Sequence, residues 1–237
     1  MNRFSASLRS YLDGFLSLAY PNVCPGCGKT LTGHEHILCR RCTNNLPRTN
    51  FEWSNENPAF QSFWGRAPIQ MAASAYYYRK GELLPRLIHQ LKYKNRKDVG
   101  LFLGRLTGRL IKASPLFSTL HVVVPVPLHP RKLRIRSYNQ CNLLAEGISE
   151  ETGLPINSDT LVRDVYNPSQ TRKGRFERWE NVAGIFRVIN PDAFENQHIL
   201  LVDDVITTGA TLEACCLPIL QIPGSSISII TIGYAVV

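Results

Sequence analysis

The sequence predicts an α/β protein: a doubly wound, mostly parallel sheet behind a small N-terminal four-cysteine zinc module. Three observations predict it. From Met71 onward, short apolar runs alternate with amphipathic stretches, the pattern of parallel strands joined by crossover helices. The run Ile199 to Val202 leads into two carboxylates and a Thr- and Gly-rich stretch, and ligands of open α/β sheets sit at the carboxyl ends of strands. Four of the seven cysteines form two C-x-x-C pairs eleven residues apart, Cys24 with Cys27 and Cys39 with Cys42, a spacing that suits tetrahedral Zn²⁺.

Each element follows in order. Phe4, Leu8, Leu12, Phe15 and Ala19 recur at helical spacing, which predicts an amphipathic helix that packs on the protein. Asp13 interrupts the apolar stretch and no small-residue cleavage site follows, so a signal peptide is not expected. An odd cysteine count in such a chain points to a cytoplasmic protein without a disulfide framework. The four paired cysteines read as a closed, structural site, with His34 and His36 as spare ligands and Gly26 and Gly28 freeing the first turn. A redox dithiol or two disulfides is the alternative use. Cys141, Cys215 and Cys216 read as packed small hydrophobes.

Residues 46–70 read as a linker between a module at 1–45 and a domain at 71–237. Their aromatics, Phe51, Trp53, Phe60, Phe63 and Trp64, fit a domain interface better than a stacking platform for unpaired bases. Beyond them the patterning predicts strands at 71–78, 121–125, 185–188, 199–202 and 227–234. It predicts helices at 82–93, 99–112, 138–152 and 212–220. No apolar run approaches the ~20 residues of a membrane span. The excess of 27 Lys and Arg over 18 Asp and Glu, +9 in all, favours anionic partners.

The site is predicted at residues 203–211. Thr207, Thr208, Gly209, Ala210 and Thr211 form a loop of hydroxyls and free N–H groups entering a helix, an anion site. Asp203 and Asp204 beside it suit hydroxyl donors, as on a ribose, with Val205 and Ile206 carrying the chain between. Together they read as a 5-phosphoribosyl cradle with Asp203 and Asp204 as the catalytic pair. A buried strand with an acidic, Thr-rich turn is the plainer alternative. A second anion loop is expected after the strand at 121–125, where Val126 and Pro127 precede Arg131, Lys132, Arg134 and Arg136, arginines being planar clamps for pyrophosphate. One of the X–Pro bonds at 125, 127 or 130 is a candidate for the cis form. The long polar stretch Asn167–Asn181 reads as a lid over the donor.

The string from Ile199 to Thr211 resembles the phosphoribosyl pyrophosphate (PRPP) motif of type I phosphoribosyltransferases. With the four-cysteine knuckle, Leu91-Lys92-Tyr93, Val124-Pro125-Val126-Pro127, Arg136 to Gln140, Ser169-Gln170-Thr171 and Arg178 to Asn181, the chain resembles the ComF competence family over nearly its whole length. That resemblance implies a type I phosphoribosyltransferase-like fold, PRPP binding with Mg²⁺, and a cytoplasmic role in uptake of single-stranded DNA, with a competence helicase-like protein as a further partner. Purine-salvage relatives often carry Asp where this chain has Thr207, which argues against hypoxanthine or guanine salvage. No cysteine nucleophile follows Met1, so a built-in glutaminase is not expected. Three uses remain open: ribosyl transfer, a binding module for single-stranded DNA or a partner, and PRPP sensing without turnover.

Overall fold

A computed structural model describes residues 22–236 apart from 34, 52 and 164–184. The predicted N-terminal helix, His34 and the predicted lid at 167–181, with its basic stretch 172–178, therefore lie outside the described residues. The chain divides into two compact units, Met1–Leu46 and Pro47–Val237.

In the first unit Val23 pairs antiparallel with Thr30. The turn between them closes through Gly28, whose φ of +74° favours a residue without Cβ. Helix α1 (Arg40–Asn44) follows, with Cys39 as its N-cap.

The second unit carries a four-stranded sheet of β1 (Met71–Tyr78), β2 (Val122–Pro125), β5 (His198–Ile206) and β6 (Ser226–Ala235), all pairs parallel, in the order β1-β6-β5-β2. A separate antiparallel ribbon joins β3 (Leu161–Arg163) to β4 (Phe186–Val188). The run at 185–188 thus pairs outside the main sheet, and its partner at 161–163 is too short and too mixed to read as a strand from sequence. The helices are α2 (Pro58–Gln61), α3 (Leu83–Tyr93), α4 (Lys97–Lys112), α5 (Pro130–Arg136), α6 (Gln140–Thr152) and α7 (Ala210–Ile219).

Helices cover both faces of the sheet. Ile199, Leu201, Ile227 and Ile229 pack with Leu212, Cys215, Cys216 and Ile219 of α7 and with Phe63 and Phe194. Leu200, Val202 and Ile230, which alternate with them, are equally buried. Side chains alternate across a strand, so these point to the other face. There α3, α4 and α6 pack, and among their described residues only Cys141 joins the α7-side core. Burial on both faces explains why these strands read as continuous apolar runs.

Helices α4 and α6 cross at very short range. Gly100, Gly104 and Gly108 form a stripe at i, i+4 spacing on α4. A Cβ on Gly104 would overlap Leu144 O, and one on Gly147 of α6 would overlap Leu101 O. Arg105–Glu150 and Arg109–Glu151 ion pairs flank the crossing.

Residues 47–70 pack within the second unit. Arg48 bridges to Tyr76. Asn57 caps α2 and its amide donates to Ala72 O at 2.8 Å. Ala59, Phe63, Ala67 and Ile69 are buried, while Trp64 is exposed.

Candidate anion site and cysteine cluster

Strand β5 does not stop before the two carboxylates. Asp203 pairs with Thr231, and the ladder runs on to Ile206 beside Tyr234. The extra residues are held because β6 is long enough to partner them. Consecutive strand residues face opposite sides, so the two aspartates enter different surroundings.

Asp204 is 5% exposed. Its Oδ2 accepts from Lys92 Nζ at 2.7 Å and from Gln140 Nε2 at 2.9 Å. Lys92 ends α3 and Gln140 begins α6, so both helices are tied to the motif strand. Burial alone would lower the Lys92 pKa, but the Asp204 charge outweighs it and the ammonium is held above its ordinary value. Asp203 Oδ1 accepts from the Cys141 thiol at 3.3 Å and from Asp204 N–H at 2.8 Å. Burial, and then the Asp204 charge, push Asp203 up to about 7 from an ordinary 3.8. The folded state therefore favours the protonated form. The stability Asp203 contributes is complete below pH 3.8 and is lost as pH rises through about 7. Asp203 Oδ2 and Asp204 Oδ1 have no protein partner among the described residues.

Thr207, Thr208 and Gly209 form a tight loop into α7, with Gly209 at φ +75° as the helix N-cap. The N–H groups of Thr207, Thr208 and Gly209 find no acceptor among the described residues, and Ala210 N–H reaches only Thr208 Oγ1, at 3.5 Å. Unpartnered donors at the start of a ten-residue helix make an anion cradle.

The basic stretch after β2 is helical rather than an open turn. His129 Nδ1 accepts from Arg131 N–H and caps α5, whose N1 is Pro130. Arg131, Lys132 and Arg134 are exposed, whereas Arg136 turns inward: Nη1 donates to Gln140 Oε1 at 2.6 Å and the guanidinium lies 5.2 Å from the Tyr93 ring centroid. Val126 is buried and its N–H is taken by Val202 O at 2.9 Å; Pro127 follows it in the wall of a cleft of about 490 Å³. No peptide bond among the described residues is cis, so the expected cis X–Pro bond is not present at 125, 127 or 130.

Lys92, Gln140 and Arg66 make the supporting contacts here; the sequence offered Lys92 and Gln140 only inside the strings that carry the resemblance, with no role at residues 203–211, and did not point to Arg66. Lys92 had a signal: it lies four residues after buried Ile88, a charge on the inward stripe of α3.

In the first unit the sulfurs of Cys24, Cys27, Cys39 and Cys42 lie within 4.8 Å of one another. Cys27 Sγ and Cys39 Sγ are 3.7 Å apart; tetrahedral Zn²⁺ with Zn–S bonds of ~2.3 Å spaces its sulfurs by roughly 3.8 Å. Cys24 Sγ accepts from Cys39 N–H, and Cys39 Sγ from Cys42 N–H, both at 3.4 Å. Burial raises the Cys24 thiol pKa, but backbone donors at Cys39, Cys27 and Gly26 outweigh it and bring it to about 7. Four clustered sulfurs with thiolate-directed donors fit a metal ion. Cys141, Cys215 and Cys216 are buried. No helix among the described residues is long and apolar enough to cross a membrane.

Fold and site together define an α/β protein with adjacent carboxylates and a Thr- and Gly-rich loop at the carboxyl end of β5, an inner strand of a parallel sheet, and a four-cysteine cluster in its first unit. Comparison with known proteins refines this. YhgH of Salmonella typhi, a "DNA utilization protein", is 28% identical over 81% of this chain and 74% of its own length. Competence protein F of Haemophilus influenzae is 26% identical over 84% of this chain and 85% of its own. Competence protein ComFC of Bacillus subtilis is 26% identical over 81% and 69%. The chain is thus similar to competence proteins F and ComFC over more than four fifths of its length, the resemblance its motifs carry. No family model matches it. Among solved structures, glutamine PRPP amidotransferase from B. subtilis covers 60% of this chain at 18% identity and a TM-score of 0.43, and this chain spans 30% of that one. A purine phosphoribosyltransferase from Pyrococcus horikoshii covers 57% at 15% identity and a TM-score of 0.37.

Proposed function

We propose that this protein binds PRPP at residues 203–211, and that the four cysteines hold one structural Zn²⁺. The observation that carries the first reading is the row of unpartnered N–H groups at Thr207, Thr208 and Gly209 beside carboxylates that each keep one free oxygen. The 5-phosphate lies on the loop, and the ribose hydroxyls donate to Asp203 Oδ2 and Asp204 Oδ1. Arg131, Lys132 and Arg134, exposed on α5, meet the pyrophosphate, and Mg²⁺ arrives with that ligand. If ribose is transferred, the leaving pyrophosphate departs from a cation-like carbon, and fixed charge and position supply the rate. Thr207 carries no carboxylate for a purine.

Titration calorimetry with PRPP and Mg²⁺ tests this. Each ribose hydroxyl bond to a carboxylate contributes roughly 1.5–3 kcal/mol, so Asp203→Ala should weaken binding at least tenfold. Affinity equal to wild type would remove the cradle reading. For the metal, elemental analysis should find about one zinc per chain, falling to near zero in Cys24→Ser/Cys42→Ser; metal-free wild-type protein would end that reading.

A second reading, handling of single-stranded DNA, is favoured by one feature of the surface. The basic stretches 92–97 and 131–136 meet: Arg136 lies over Tyr93, and Lys97 Nζ is 5.1 Å from the Tyr138 ring centroid. Aromatic rings among cations suit unpaired bases and their phosphates. Fluorescence anisotropy at two salt concentrations should show affinity falling steeply with salt; salt-independent binding would count against this surface.

A further inference from the structure

We infer that Arg66 is the positioning residue of the anion loop, and that the stretch before β1 exists in part to deliver it; the inference rests on the PRPP reading of that loop. Arg66 follows α2 in sequence and lies 142 residues before Thr208. Its Nη1 donates to Thr208 O at 2.6 Å and to Ser62 O at 2.9 Å. Its Nε donates to Glu213 Oε2 at 3.0 Å, and Nη2 pairs with the same oxygen. One guanidinium thus joins the loop, the first turn of α7 and its own segment.

Two consequences follow from elementary geometry. A trans peptide points its C=O and N–H in opposite directions. With Thr208 O drawn to Arg66, the Gly209 N–H is turned away from Arg66 and left free for a ligand. Secondly, Glu213 places a negative charge in the first turn of a helix whose N-terminus is to receive an anion. Arg66 neutralises that charge. Four of its five N–H donors have protein acceptors, and both hydrogens of Nη1, the nitrogen at the loop, are engaged, so it acts through the loop rather than on the phosphate. Phe63, 1% exposed, completes the support: its ring would lie 3.4 Å from a Cβ on Gly209. Lysine cannot replace this arrangement, because a single ammonium lacks the planar fork that reaches Thr208 and Glu213 together.

The test has a ligand arm and a ligand-free arm on the full-length protein. In calorimetry with PRPP and Mg²⁺, and separately with ribose 5-phosphate, Arg66→Ala should weaken binding at least tenfold. Arg66→Lys should recover only part of that, and Glu213→Gln, which keeps the Thr208 contact, should change it less than threefold. In the ligand-free protein, 15N relaxation should show the amides of Thr208 to Ala210 changing from rigid to flexible in Arg66→Ala, with order parameters falling from ~0.85 to below ~0.6, while those of β5 and the melting temperature stay at wild-type values. Loop amides that remain rigid in Arg66→Ala overturn the clamp, as does a loss of order spread through the whole fold. If wild type binds neither ligand, the PRPP reading fails, and the relaxation result alone decides the clamp.

Discussion

Replacing Gly147 with alanine should destabilise the protein by at least ~2 kcal/mol, against the direction that helix propensity predicts. Alanine is the better helix former by about 1 kcal/mol, so at an ordinary helical position the change would stabilise. Here a Cβ on Gly147 would overlap Leu101 O and approach Arg105 N at 2.8 Å and Gly104 Cα at 2.9 Å. These are backbone atoms of α4, which cannot turn aside as a side chain can. The helices must separate, and overpacking of this kind costs about 1–3 kcal/mol or more. Gly104→Ala should behave alike, since its Cβ meets Leu144 O. Gly100→Ala should be milder, because its closest approaches are 2.9 Å, to Leu91 Cδ1, which can rotate away, and to Leu143 Cβ, which is fixed to α6 and keeps part of the cost. Urea unfolding of the three variants should give this order, and Gly147→Ala as stable as wild type would show that the crossing is looser than described.

The second large effect is expected at Lys92. Lys92→Met should lower stability by about 3 kcal/mol, the lower end of the cost of breaking a buried pair. The lower end applies because the Lys92 side chain is 21% exposed, against 8% for Asp204. The loss comes from Asp204, left charged and buried with only the Gln140 amide at 2.9 Å on the same oxygen. Removing the charge as well should restore much of it, so Lys92→Met/Asp204→Asn should be more stable than Lys92→Met alone. A double-mutant cycle by urea unfolding isolates the coupling. If Lys92→Met lies within ~1 kcal/mol of wild type, the pair does not hold α3 to β5. Asp204 belongs both to this tie and to the ligand site, so Lys92→Met should also weaken PRPP binding in whatever fraction stays folded.

The readable parts of this protein were those in which chemistry lies along the chain. Strand β1 spans Met71–Tyr78 as its apolar, aromatic run predicts, and α3 and α6 start within two residues of the periodic stretches that announce them. Within each cysteine pair, in the carboxylate pair and along the Thr-rich loop the residues are neighbours in sequence, so spacing alone shows each group. The basic run 131–136 was legible as charge but not as helix, because its N-cap is a histidine ring nitrogen rather than a Ser, Thr, Asp or Asn.

What sequence could not supply were distances between remote elements. Composition makes residues 46–70 read as a linker, yet Phe63 is buried under Gly209 and Arg66 reaches Thr208, because burial depends on what folds over a segment and not on its polarity. The motif strand reads as ending at Val202, but β6 supplies backbone partners as far as Ile206, and pairing decides where a strand ends. Asp203 and Asp204 are identical and adjacent in sequence. Only the pleat sends one toward Cys141 and the other onto Lys92 and Gln140, and so gives two like carboxylates different hydrogen-bond partners.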